Sequence, residues 1–144
     1  MSLAEVHAAI NDFPVALLLA SVAFDLAAGT GGQHRHSLQA AAWWCLNVGA
    51  AAAILAAISG LVAASRIDVT PSLSRPFQAH RAIAIVVALL FSGLAGWRWW
   101  RKNQLTLPEQ QSYIMAAVVG ALALIWAARL GGTLVFQHGI GVAR

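Results

Sequence analysis

Residues 112–136 read SYIMAAVVGALALIWAARLGGTLVF, and the chain runs on as QHGIGVAR to its end at residue 144. The only charge in the quoted stretch is Arg129. A run this apolar exceeds the roughly 20 residues needed to cross about 30 Å of hydrocarbon, so it reads as a transmembrane helix. An arginine inside such a helix is expensive in lipid and turns toward a partner or a cavity. Gly131 and Gly132 lower helix propensity and therefore point to close packing. Gly139 and Gly141 suit a helix stop, with His138 just before them. What Arg129 and His138 meet becomes the question for the rest of the chain.

Working back from that helix, three more segments have the same character. Residues 77–100 carry His80 and Arg81 in their first turns and end in the cluster Trp97, Arg98, Trp99, Trp100, Arg101 and Lys102. Residues 38–65 are rich in alanine, with Gly49, Ala53, Ala56, Ala57 and Gly60 at helical spacing, a pattern that lets helix backbones approach closely in a membrane. Residues 8–28 follow His7 and hold Asn11, Asp12 and Pro14 early and Asp25 late. This first segment is read as a helix rather than a cleaved leader, because no basic residue precedes it and Glu5 is acidic. No internal repeat, linker or second domain is evident. Short polar connections predict an all-α integral membrane protein: one domain over 1–144, folded as an antiparallel up-down four-helix bundle with helices near 8–28, 38–65, 77–100 and 112–136.

Composition agrees. Hydrophobic residues make up 60% of the 144 and charged residues 10%, with mean hydropathy +0.71, a membrane composition. The single cysteine, Cys45, excludes an internal disulfide and any multi-cysteine metal or iron–sulfur centre. Nine Lys and Arg outnumber five Asp and Glu. They sit at segment ends as interfacial anchors rather than along one face, which excludes a nucleic-acid partner and makes the lipid bilayer the partner instead.

Up-down topology defines two membrane faces. Face A holds both termini and the second-to-third connection; face B is opposite. Trp43, Trp44, Trp97, Trp99, Trp100 and Tyr113 fall near face B and read as an aromatic belt. His7, Asp12, His80, Arg81, Arg129 and His138 fall toward face A, so the polar groups gather in one half. The expected arrangement has Asp12, Arg81 and Arg129 facing the interior or a water-filled cleft, with Arg129 paired to Asp12 or to an anion. Asp25 pairs with Arg98 or a loop histidine, and Asn47 and Ser92 serve as interhelical hydrogen-bonding groups. Met115, Trp126 and Cys45 read as packing. Four basic residues on each face leave the orientation open, and the tight Arg98, Arg101 and Lys102 cluster favours a cytoplasmic face B.

His7-Ala-Ala-Ile-Asn-Asp-Phe13-Pro14, Asp25, His80 and Leu130-Gly-Gly-Thr-Leu-Val-Phe-Gln-His138-Gly-Ile-Gly-Val142 together resemble the bacterial four-helix membrane family known as domain of unknown function 2231. That family typically begins His-Pro-x-x-x-His-Phe-Pro and ends Gly-Gly-x-x-Val-x-x-His-Gly-Val-Gly. The resemblance spans nearly the whole chain. It departs at Ala8, where the family has proline, and at Asp12, where it has a second histidine. It implies the four-helix fold and a bacterial inner-membrane, multi-pass location, and it implies no activity.

Three functional readings follow from the face A cluster. Neutral imidazoles bind haem iron, so the first is a b-type haem held between helices. His80 is its favoured axial ligand, His7 or His138 the second, and Arg81 and Arg129 counter the propionates. Such a subunit passes electrons, for instance to a quinone or a partner cytochrome. The second reading is a non-catalytic anchor or accessory subunit of a larger membrane redox complex. The third is a His/carboxylate metal site that uses Asp12 and suits zinc or non-haem iron. No serine triad, phosphate loop or cysteine nucleophile is present, which argues against a free-standing hydrolytic enzyme.

Overall fold

The computed structural model describes residues 3–65 and 70–139. Four helices account for nearly all of them: α1 (Leu3–Gly29), α2 (Arg35–Ala64), α3 (Ser74–Trp100) and α4 (Leu107–Phe136), with a short 3-10 turn at Pro71–Leu73. All four are long and apolar enough to cross a membrane. The helices begin earlier than the apolar segments do, because polar residues start them. At α4, Thr106 and Glu109 form a capping box and Pro108 occupies the first turn, so the helix starts at Leu107 rather than near 112. Gly31 and Gly32 take positive φ in the α1–α2 turn. Gly139, at φ 63°, follows the end of α4 as a left-handed stop residue.

Each helix packs on the next and α4 closes back on α1, giving a ring in which α1 and α3 are diagonal. Contacts fix the directions. His7, early in α1, meets Ser59, late in α2. Asp25, late in α1, meets Arg98, late in α3, and Tyr113, early in α4. Successive helices therefore run antiparallel. Leu18, Leu46, Phe91 and Tyr113 fill the centre. Outward positions are apolar as well, including Leu55, Leu89, Met115, Trp126 and Phe136, so the bundle presents a lipid-compatible surface on all sides. Met115 and Trp126, read as packing, thus face outward. Ser92 also differs from expectation: its hydroxyl donates to Ala88 of its own helix.

The structure reveals an internal repeat, contrary to the expectation from sequence. Every buried residue of α2 has a buried counterpart in α4 at a constant offset of 71 residues, from Ala42 and Tyr113 at one end to Ala63 and Leu134 at the other. Residues 49–60, GAAAAILAAISG, align with residues 120–131, GALALIWAARLG, with seven of twelve identical. His7, Ala9, Ile10 and Leu17 of α1 recur in α3 as His80, Ala82, Ile83 and Leu90, at the same 73-residue spacing that separates Asp25 from Arg98. The hairpins α1–α2 and α3–α4 therefore repeat one pattern of buried and identical positions with parallel direction. The alanine-rich background concealed it, since matches between alanines carry little signal.

Candidate functional site

The repeat places two residues of the sequence-level site at equivalent positions. His7 and Asp25 are separated by eighteen residues, as are His80 and Arg98, about five turns and about 27 Å of helix. Each pair therefore lies on one face of its helix. Asp25 and Arg98 meet across the bundle axis, so His7 and His80 stand on axis-facing stripes at the other end. Between them lies a largely apolar cavity of about 550 Å³ in the face A half, between the two hairpins. Ala53, Ala57, Ala84 and Ala128 are among its lining residues, and Asn11, Asp12 and Arg81 add polarity.

Both imidazoles are held by the second helix of their own hairpin. His80 Nδ1 lies 2.9 Å from the Ala127 carbonyl oxygen, to which it donates. His7 Nδ1 lies 3.0 Å from Ser59 Oγ, whose hydroxyl in turn donates to the Ala56 carbonyl. Ala56 and Ala127 are themselves repeat equivalents. An imidazole that commits Nδ1 to a carbonyl leaves Nε2 as the unprotonated, ligand-competent nitrogen, the usual second-shell arrangement of metal-bound histidine. His7 precedes the apolar span Ala9–Gly29. Burial and the nearby His80 both lower its pKa, against a backbone hydrogen bond to Ala56 that raises it, so the neutral ring is favoured.

The remaining sequence-level candidates divide. Asp12 and Arg81 line the cavity with side chains that are also exposed. Arg129 is exposed and lies outside the lining, and among the described residues it has no ion pair with Asp12. Its place in α4 explains this: it is the repeat equivalent of Ile58, which faces outward. The interior position expected for Arg129 is thus corrected. His138 is exposed in the turn beyond α4, past the cavity. Among the described residues no group of three or more His, Cys, Asp or Glu side chains is placed to hold a metal ion. Two residues that the sequence did not single out as site residues, Ser59 and Ala127, anchor the rings; no motif marks either.

The buried charge pair sits instead at face B. Arg98 Nη1 donates to Asp25 Oδ2 at 2.8 Å and to the Tyr113 hydroxyl at 3.1 Å, and that hydroxyl donates to the same carboxylate oxygen at 2.8 Å. Arg98 Nε donates to Asn103 Oδ1 at 2.8 Å. Asn103 adopts φ 58°, a left-handed conformation that asparagine tolerates, and its N–H closes the turn onto the Arg98 carbonyl. The guanidinium also lies over the rings of Trp43 and Tyr113. Tyr113 is 2% exposed, so it belongs to this interior network and not to the belt. Asn47 accepts from Trp99 Nε1, tying α2 to α3 as expected of an interhelical group.

Comparison with known proteins agrees with the fold. The family model described as predicted membrane protein, DUF2231, matches residues 4–144, and the chain belongs to that family. No curated protein and no solved structure matches it.

Proposed function

We propose that this membrane protein is a small electron-carrying subunit of the bacterial inner membrane that holds a b-type haem between His7 and His80. One observation carries the reading: two imidazoles occupy repeat-equivalent positions on diagonal helices, each with Nδ1 engaged by a neighbouring helix and with a cavity between them. Bundles build cofactor sites from such inward side chains on facing helices. The lining fits the group: it is largely apolar and includes many alanines and glycines, and Arg81 supplies a cation suited to a propionate. His7 and His80 would hold the haem iron, in place of a pairing with His138. When bound, a haem supplies reversible one-electron chemistry. The chain's own contribution is to fix two imidazoles, to surround them with apolar walls and to embed the site where a membrane quinone or a partner cytochrome can exchange the electron.

Reduced-minus-oxidised spectra of protein purified from haem-replete cells test the reading. Expected are haem bands that are lost or strongly altered in His7→Ala and in His80→Ala and kept in His138→Ala. Protein without such bands, above all if it co-purifies with a larger complex, overturns it in favour of an anchoring subunit.

A further inference from the structure

We propose that Gly60 and Gly131 are positioning residues: each forms a seat that fixes the ring plane of one imidazole, Gly60 for His7 and Gly131 for His80. For its ligand the inference rests on the haem reading, while its stability test does not.

The seats are visible in what a side chain would meet. A Cβ at Gly60 would lie 2.8 Å from His7 Cε1, and one at Gly131 would lie 2.8 Å from His80 Cε1. Neither distance is compatible with a real Cβ. The two ring nitrogens follow closely, at 3.2 and 3.3 Å from the first position and 3.3 and 3.4 Å from the second. Three ring atoms at such similar distances mean that the glycine meets the ring near its face; an edge-on ring would carry its nitrogens appreciably farther away than Cε1. Each ring is therefore held twice by one helix. The hydrogen bond at Nδ1, to Ser59 beside Gly60 or to Ala127 one turn before Gly131, sets the direction of one nitrogen. The glycine sets the plane. With both fixed, the direction of Nε2 is fixed as well.

Two further points separate a seat from mere helix packing. Glycine in a helix interior is disfavoured relative to alanine, and at Gly60 and Gly131 the close contact with a ring offsets that cost. A Cβ at Gly93 or Gly96 of α3 would meet nothing within 4 Å, and one at Gly49 or Gly120 would meet the flexible end of Leu18 or Leu90 at 2.9 Å, whereas at Gly60 and Gly131 it would meet a planar ring that is also hydrogen-bonded to the same helix. The arrangement also occurs twice, at equivalent positions of the repeat, although the hydrogen-bond partners at Nδ1 differ. What the two halves share is the pairing of histidine with glycine, and that pairing sets the angle between the two imidazole planes.

A double-mutant cycle in detergent solution tests the seats without any ligand. Gly131→Ala is expected to lower Tm by about 5 °C when His80 is present, and to raise Tm in the His80→Ala background, where only the helix-propensity gain remains. The same reversal of sign is expected for Gly60→Ala with and without His7→Ala. Gly93→Ala is the control and raises Tm in either background. If Gly131→Ala acts alike with and without His80, the seat is overturned.

A second readout addresses positioning. In haem-loaded protein, Gly131→Ala is expected to keep one haem per chain while shifting the low-spin electron paramagnetic resonance signature and the midpoint potential, both of which respond to the orientation of axial imidazole planes. Full loading with an unchanged signature and potential overturns the positioning role. Protein that carries no haem but shows the Tm reversal overturns the haem reading alone and leaves the seats standing.

Discussion

The two ends of the bundle are built on the same helix faces and solve opposite problems. At face B, α1 and α3 meet through Asp25 and Arg98, 7% and 4% exposed, with Tyr113 and Asn103 completing the hydrogen bonding. At face A, five turns away, the same two helices present His7 and His80, which turn to α2 and α4 instead of to each other. The repeat explains the contrast. Where its halves carry opposite charges, the diagonal helices are locked. Where they carry the same residue, each imidazole bonds to the second helix of its own hairpin, and a cavity stands between them. The halves thus differ where the bundle closes and agree where the cavity stands.

The sharpest way to break this comparison is to unlock the closed end. Arg98→Ala leaves the Asp25 carboxylate buried beside Tyr113 without its cation, a loss expected to cost about 3–5 kcal/mol. In detergent the variant should unfold at much lower temperature or fail to accumulate. Arg129→Ala, on an exposed position, should stay within about 0.5 kcal/mol of the parent. Exchanging the charges as Asp25→Arg with Arg98→Asp should recover part of the loss, since the two positions are repeat equivalents. Equal sensitivity at 98 and 129 would mean that the buried pair has been misidentified.

A smaller effect is expected from Tyr113→Phe. The ring and its packing against Arg98 remain, while one hydrogen bond to Asp25 and one from Arg98 are removed at a buried site, costing about 1–3 kcal/mol. A thermal melt indistinguishable from the parent would show that the hydroxyl adds nothing to the ion pair.

The open end should respond in the other direction. Ala84→Leu adds volume to a cavity wall, and filling of this kind commonly adds about 0.5–2 kcal/mol of stability. The same change should reduce occupancy by any ligand held between His7 and His80. A variant that is more stable and equally loaded would move the ligand elsewhere.

How much of this was legible in the sequence follows from the kind of signal each feature leaves. Four helices were legible because hydropathy over some twenty residues is additive and needs no partner. The helix starts were less so, since Thr106 and Glu109 act through a capping geometry rather than through hydropathy. His7 and His80 could be assigned to one membrane half by counting turns, and the Asp25–Arg98 pair could be anticipated from depth. The inward direction expected of Arg129 failed because depth says nothing about azimuth: on a helix that is apolar all round, the buried side is set by neighbouring helices. Tyr113 was masked by five tryptophans whose position suits a belt. The repeat was hidden because alanine carries most of it, and it became visible only when burial picked out which alanines correspond.

Arg101 gives the smallest expected effect and the finest test of the comparison. It lies three residues from Arg98 in what reads as one basic cluster, yet its environment differs. Its guanidinium donates to Glu109 at 2.9 Å, and the two side chains are 38% and 27% exposed. At that exposure water and salt screen the attraction, so the pair contributes little. Glu109 also accepts from the Thr106 N–H and hydroxyl, so it keeps its capping role when the arginine is gone. Arg101→Ala should therefore lower Tm slightly, and the difference from the parent should shrink further in high salt. Arg98→Ala should show a large loss that salt does not abolish. If the two substitutions proved equally damaging and equally salt-sensitive, the closed end would be held by its surface charges as a group, and the diagonal Asp25–Arg98 contact would lose its separate standing.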